Sequence, residues 1–410
     1  MKILGVGAVV AVLCAQVLGA QGGETWIQLT PSPDPIYGTP QVMGHSAVYN
    51  FVTNKMIVFG GVGPAGGSCP TCGYLPVGDL WMLSNANGLG GAPAWSKVTP
   101  LAPSGAPSAR ELHAAVYDLT NNRMILNGGF TSPGSCSGGV SDTWVLTHAD
   151  GTGGTPTWLP LSTTGAAPGL LSHGAAYDAA HNRLITHGGN FSACGSAQDG
   201  TWVLTYANGL EGAAAWTQLA PTGELPFVLY SLANPTVGFD PGTNSLVSYV
   251  KYGAATSVGA TRLLSNANGL GGSPAWTDIA QTNPRYAQAG VFDAGRNRML
   301  IFAGIWTVAL NDVWRLDKAN GQGGTPQWTQ INPTGTPPAA RIATSTVYDP
   351  ATGRLIVFGG GTYSQSVVYS DVWVLTGALG SGLAVPALGG LGLLGFALLV
   401  LTAGVFVLLR

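Results

Sequence analysis

The sequence predicts an all-β chain in which six four-stranded blades close into a propeller. Three observations carry this: one strand-and-turn pattern recurs six times, a surplus strand stands at the front of the chain, and glycine is abundant while charge is scarce. The pattern is clearest over residues 110–158. His113-Ala114-Ala115-Val116-Tyr117-Asp118 leads into a turn at Thr120-Asn121-Asn122, and Arg123-Met124-Ile125-Leu126 then ends at Gly128-Gly129. After a loop come Asp142-Thr143-Trp144-Val145-Leu146, a glycine-rich turn, and a strand with Trp158. Short β-prone runs separated by turn chemistry are the signature of one antiparallel blade.

The other copies align by column. An aromatic ends the first strand at Tyr49, Tyr117, Tyr177, Phe239, Phe292 and Tyr348. A glycine pair follows at Gly60-Gly61, Gly128-Gly129, Gly188-Gly189 and Gly359-Gly360, with Ala303-Gly304 as its form in the fifth copy, and the fourth copy breaks the rule with Val250-Lys251. The third strand carries Asp before Trp: Asp79/Trp81, Asp142/Trp144, Asp199/Trp202, Asp312/Trp314 and Asp371/Trp373, with Thr261-Arg262 in the fourth copy. Trp95, Trp158, Trp216, Trp276 and Trp328 mark five fourth strands. The sixth is at the front, where Thr25-Trp26-Ile27-Gln28-Leu29 matches Ala215-Trp216-Thr217-Gln218-Leu219. Lending that strand to the last blade closes the ring and removes an open sheet edge.

The glycine pairs, the Tyr before them and the Trp of the third or fourth strand resemble the kelch repeat over roughly Trp26 to Leu375. The resemblance implies a kelch-type propeller and says little of function. The turn wording of Asn85–Trp95 is similar to that of bacterial secreted kelch-type proteins. In this reading the glycines let backbones crowd, the aromatics fill the space between sheets, and the Asp before Trp caps a turn or bonds backbone amides. Asn54-Lys55, Asn122-Arg123, Asn182-Arg183 and Asn297-Arg298 belong to hairpins between first and second strands. The fourth blade lacks two signatures and is expected to be the least stable.

The chain ends predict export. Residues 1–20 read as a secretory signal, with Lys2, an apolar run and the small pair Gly19-Ala20 before cleavage. Leu13 before Cys14 speaks against lipidation. Residues 383–409 are 27 uncharged residues before Arg410. As a helix they span about 40 Å, enough for a hydrocarbon core of about 30 Å. The Val385-Pro386-Ala387-Leu388 start is also similar to bacterial sorting tags of the Pro-Glu-Pro or Ile-Pro-Thr-Leu kind, although those carry several arginines. The expected organisation is signal 1–20, propeller 21–375, linker 376–382 and a membrane or sorting tail 383–410. The implied partners are the export machinery, the membrane and a sorting protease. Four cysteines remain after export, Cys69, Cys72, Cys136 and Cys194, all in loops after glycine pairs; they read as disulfides, Cys136–Cys194 with Cys69–Cys72 or Cys72–Cys136 as the rival.

Composition excludes a nucleic-acid partner. Lys and Arg number 16 against 18 acidic residues, and no basic run occurs. Of 12 Trp, only Trp306 falls outside a repeat position. The carboxylates left over are Asp34, Asp150, Asp278, Asp317, Glu24, Glu111, Glu211 and Glu224, and they form no pair suited to glycoside hydrolysis. His45, His113 and His173 share a column that continues as Pro235, Gln288 and Thr344, so they are not a ring of metal ligands. His187 stands just before a glycine pair, where it either lines a pocket near the axis or bonds a neighbouring blade. Arg110, Arg285 and Arg341 share another column and read as structural.

No catalytic residue, metal site or cofactor is expected. The expected function is a non-catalytic binding scaffold for a protein or carbohydrate at the cell surface. Its surface would be the loops 62–78, 130–141, 190–198, 305–311 and 361–370, which a rigid sheet array presents. The candidate contacts are Trp306, Tyr74, Phe130, Phe191, Tyr363 and His187. Trp306 either binds ligand or covers the aberrant fourth blade. The alternative is a carbohydrate-active enzyme similar to the sialic-acid mutarotase or galactose-oxidase kelch types. The first needs convergent Arg and acid groups; the second needs a copper site with a Cys–Tyr crosslink, for which Cys72 and Tyr74 are a poor match.

Overall fold

The computed structural model describes residues 23–64, 74–131, 139–192, 198–223, 235–252, 258–364 and 366–378. The expected signal, the C-terminal tail and Cys69, Cys72, Cys136 and Cys194 lie outside them. Among the described residues no helix is long and apolar enough to cross a membrane.

Six antiparallel sheets form a six-bladed β-propeller; five are four-stranded, and that of blade 3 carries a short fifth, parallel strand, Thr163–Thr164. Blade 2 runs Ala114–Asp118, Arg123–Asn127, Thr143–Thr147 and Thr157–Pro160. Blade 6 takes Ser345–Asp349, Arg354–Phe358 and Val372–Thr376 from the end of the propeller and Thr25–Leu29 from its start, with Trp26 opposite Leu375. The first strands stand side by side around the axis, each beside the next, and blade 6 meets blade 1.

The aromatic columns place the core between blades. Five of the six fourth-strand Trp pack on the residue that ends the second-strand column of the preceding blade: Trp158 on Phe59, Trp276 on His187, Trp328 on Tyr249, Trp26 on Phe302 and Trp95 on Phe358. Six apolar clusters, one at each junction, result.

The glycine pair and the His column explain each other. A Cβ on Gly128 would lie 2.5 Å from the Leu170 carbonyl and 2.9 Å from Cε1 of His173 in the next blade. Only glycine leaves room there, and its φ of +68° is also glycine territory. Blade 5 has Ala303 at this place because blade 6 presents the smaller Thr344 instead of His; the alanine still sits at φ +61°. His45 and His113 share 2.8 Å hydrogen bonds through Nε2 with Ser345 and Ser46 of the preceding blade. His173 would meet Ala114, which has no hydroxyl, and both its ring nitrogens are buried without a hydrogen-bond partner.

The Asp before Trp does not cap a turn as expected. Asp142, Asp312 and Asp371 each receive both terminal guanidinium nitrogens of the buried Arg110, Arg285 and Arg341, and the indole N–H of the following Trp donates to the same carboxylate at 2.7 Å. The same arginines donate to the carbonyl of residue 128, 303 or 359 at the glycine pair. A bidentate pair of this kind is the geometry Arg forms best.

On the opposite end of each blade, turn Asn side chains bond the strand-one Asp of the preceding blade: Asn87 to Asp349, Asn208 to Asp118, Asn268 to Asp178 and Asn320 to Asp240. At the junction of blades 1 and 2 the residues are exchanged. Asn50 Nδ2 donates to Asp150 Oδ2 at 2.9 Å. The unassigned Asp150 is thus the carboxylate half of a repeated junction bond, reversed in direction.

Blade 4 reaches its missing turn differently. Its second and third strands extend to Ser245–Tyr252 and Val258–Ser265, and the ladder between them runs from Ser245 opposite Ser265 to Tyr252 opposite Val258. Three extra rungs beyond Tyr249 take the place of the glycine pair. The β-ladder of this blade is thus longer than that of the other blades, although two repeat signatures are missing from it.

Candidate functional site: an axial cavity

Where the chain enters the first strands, one residue in each of five blades sits in the left-handed region: Gly44 (φ +64°), Leu112 (+54°), Ser172 (+53°), Ala287 (+53°) and Ala343 (+49°). Their amides and carbonyls join blade to blade. Ala343 N donates to Ala287 O, Gly44 N to Ala343 O, Leu112 N to Gly44 O and Ser172 N to Leu112 O, at 2.8–3.0 Å. Among the described residues this rim links five blades around the axis through four backbone hydrogen bonds. Non-glycine residues pay a conformational penalty of roughly 1 kcal/mol or more in that region, so the side chains kept there need surrounding structure to hold them.

A cavity of about 400 Å³ opens inside the rim. Its apolar wall includes Met43, Leu112 and Ile342; its polar groups are Glu111, His45, His113, Ser172, Thr344 and Tyr363. This volume lies in the range of small-molecule sites, about 300–1,000 Å³. Below it a narrower space of about 170 Å³ continues between the first strands, past His173. Burial holds the His45 imidazole near a pKa of about 3 and that of His173 near about 4, and burial together with Arg110 and its histidine neighbours holds His113 well below its usual value. All three are neutral at pH 7. The Nδ1 atoms of His45 and His113 and Oγ of Ser172 are buried without hydrogen-bond partners, and Ser172 is only 2% exposed.

Glu111 is the singular group. Its backbone pairs with Phe130 in both directions, at 2.9 and 2.8 Å, which fixes it at the rim. In the same column stand Met43, Leu171, Tyr286 and Ile342, so an acid occupies a place that is otherwise apolar. Its Oε2 lies 3.4 Å from where a Cβ on Gly44 would be. No described residue hydrogen-bonds or ion-pairs with the carboxylate, and no Lys or Arg is among the described residues lining the cavity. Burial raises its pKa to about 7. Sequence reasoning set Glu111 aside as a leftover acid beside Arg110; the signal that finds it is its departure from the apolar column.

The candidate contacts fall in different places. Tyr363, 61% exposed, lines the cavity mouth. Tyr74 is half-buried against an apolar cluster of blades 1, 5 and 6 near the rim. Phe130 is 5% exposed, held in its bridge with Glu111. Phe191 is exposed on blade 3 and meets Trp202 edge-on at 6.1 Å, away from the cavity. His187 lies between blades, 4.7 Å from the Trp276 ring, with Nδ1 sharing a 3.0 Å hydrogen bond with Thr201. Trp306 stacks over the Lys251 ammonium at 4.4 Å. Lys251 replaces the second glycine of blade 4, so the one Trp outside the repeat covers the one cation put in place of a glycine. Burial lowers the Lys251 pKa, and the aromatic face partly compensates that lost hydration. Among the described residues no group of three or more His, Cys, Asp or Glu is placed to hold a metal ion.

No protein-family profile matches the chain. No curated protein sequence matches it either. Solved structures do. That of YjhT superposes with a TM-score of 0.53 at 12% identity, covering 84% of this chain and 95% of that one. A protein of unknown function from Dyadobacter fermentans superposes with a TM-score of 0.52 at 12% identity, covering 87% and 98%. At this identity the likeness is one of fold.

Proposed function

We propose that the chain is an exported kelch-type propeller, held at the membrane or cell surface by its C-terminal tail, that binds a small, carbohydrate-sized ligand in the axial cavity. One observation carries this reading: a cavity on the symmetry axis combines an apolar wall with buried polar atoms that have no partner in the protein. Buried polar groups are normally satisfied, and a ligand is the natural source of the missing bonds. The exposed loops around the mouth, Tyr363 among them, offer further contacts.

A second reading, an enzyme acting on a carbohydrate, draws on Glu111 alone. A carboxyl with a pKa near the working pH suits general acid–base catalysis. The sialic-acid mutarotase type finds less support, because Arg110, Arg285 and Arg341, the cations it would need, are committed to Asp142, Asp312 and Asp371. The test is a glycan and metabolite panel on the full chain in detergent, each binder then checked for conversion and for protection of Glu111 against carbodiimide. A binder that protects Glu111 supports the cavity, and turnover assigns the enzyme. A panel without binders, or binders that leave Glu111 reactive, overturns the reading and directs attention to protein partners.

A further inference from the structure

We propose that the axial cavity selects ligands carrying a primary ammonium group on a small, part-apolar frame, with Glu111 as the counter-ion and Ser172 as a second hydrogen-bond partner. This rests on the reading of the cavity as a ligand site and names the chemistry it accepts.

The argument is one of charge and satisfaction. Every other acid in a comparable setting has a partner: Asp142, Asp312 and Asp371 hold arginines, Asp150 holds Asn50 and Thr53, and Asp178 holds Asn268. Glu111 has none among the described residues, and nothing lining the cavity supplies a positive charge. The titratable groups facing it are His45 and His113, neutral at pH 7, and Tyr363 at the mouth. Arg110, next to it in sequence, points its guanidinium at Asp142. An ionised carboxylate half-removed from water without a counter-ion is costly, and the protein relieves that cost by keeping the group partly protonated. A ligand ammonium relieves it better. Its remaining N–H donors suit Ser172 Oγ, buried and unpartnered a short way along the rim. Met43, Leu112 and Ile342 offer the ligand frame an apolar wall. An anionic ligand, by contrast, would face Glu111 with no cation to receive it.

Linkage gives a readout that a merely structural glutamate would not. Near pH 7 about half of the Glu111 population is protonated. Pairing with an ammonium lowers its pKa, so where the free amine is fully protonated binding releases a proton fraction that shrinks as pH rises above about 7. An amine that is partly neutral offsets this by taking up a proton, and affinity falls as pH drops below about 6.

The experiment is titration calorimetry on the full chain in buffers of different ionisation enthalpy. The probes are D-glucosamine against D-glucose and cyclohexylamine against cyclohexanol, with wild type and Glu111→Gln. The expected result is that amines bind at least about tenfold tighter than their neutral counterparts, with proton release, and that Glu111→Gln removes both the preference and the release. Preference for glucosamine over cyclohexylamine would identify an amino sugar as the source of the ammonium; the reverse order would identify a simple amine. Equal binding of amine and neutral probes, or an amine preference that survives Glu111→Gln, overturns the ammonium proposal and leaves the cavity reading standing. Absence of binding by all four probes, with wild type folded by circular dichroism, overturns the ammonium proposal; the glycan and metabolite panel then decides the cavity reading.

Discussion

The exchanged pair at the junction of blades 1 and 2 allows a strict test of how the blades are joined. In wild type, Asn50 Nδ2 donates to Asp150 Oδ2 at 2.9 Å and also to Tyr117 Oη at 3.0 Å, and Thr53 Oγ1 donates to the same carboxylate at 2.9 Å. Burial pushes the Asp150 pKa up, but hydrogen bonds from Thr152, Thr53 and Asn122 outweigh it and hold the group below its usual value. Asn50→Asp removes the donor and sets two carboxylates about 3 Å apart. At an effective dielectric of about 20 their repulsion is on the order of 5 kcal/mol. Protonating one of them caps the cost, so with the lost charge-assisted bond we expect a destabilisation of about 3–4 kcal/mol at pH 7. The proton taken up in the folded state raises a pKa there, so the defect should shrink as pH falls toward 5. Asp150→Asn leaves two amides facing each other and should cost about 1–2 kcal/mol. The double variant restores the orientation of the other junctions. Its residue 150 amide oxygen can take Asn122 Nδ2 as Asn208 takes that of Asn182, and Thr53 can turn to position 50 as Thr352 does to Asp349. It should lie within about 1 kcal/mol of wild type, a favourable coupling well above the additive expectation. Urea unfolding of the four proteins measures this. If the two single effects simply add, the junction bond is not the unit of stability described here.

Four further outcomes follow from the same geometry. Ala114→Ser supplies the hydroxyl that His173 lacks and should raise stability by about 0.5–1 kcal/mol, with no gain in an Ala114→Ser/His173→Leu background; thermal unfolding of the pair decides. Ala303→Gly removes the left-handed alanine and should stabilise by about 1 kcal/mol, whereas Gly128→Ala meets the Leu170 carbonyl and should destabilise by at least that much in a denaturant series. Asp142, Asp312 and Asp371 are pushed up by burial but held lower overall by their arginines, so the stability they supply is complete above about pH 4 and lost as pH falls below it. Asp371→Asn should therefore destabilise strongly at pH 7 and flatten the acid limb of a stability–pH profile. In blade 4, amides of Val247 and Leu264, buried in eight-residue strands, should exchange as slowly as those of Ile125 and Leu146 in blade 2. Much faster exchange there would show that the missing signatures weaken the blade.

The sequence by itself determined the blade count, the strand columns and the ring closure through Trp26, because repeats and alternating apolar residues record local geometry that every copy must satisfy. It also separated Trp306 and Asp150 from the repeat. What those two do was decided only in three dimensions, since their partners lie in another blade: Lys251 beneath Trp306, and Asn50, 100 residues away, against Asp150. The same holds for the Asp before Trp, whose role depends on an arginine that the column listing left unpaired with it. Closure of the ring also created the axial cavity. Its lining comes from short segments of five blades, each unremarkable alone, and the burial that raises the Glu111 pKa exists only once those segments converge on the axis.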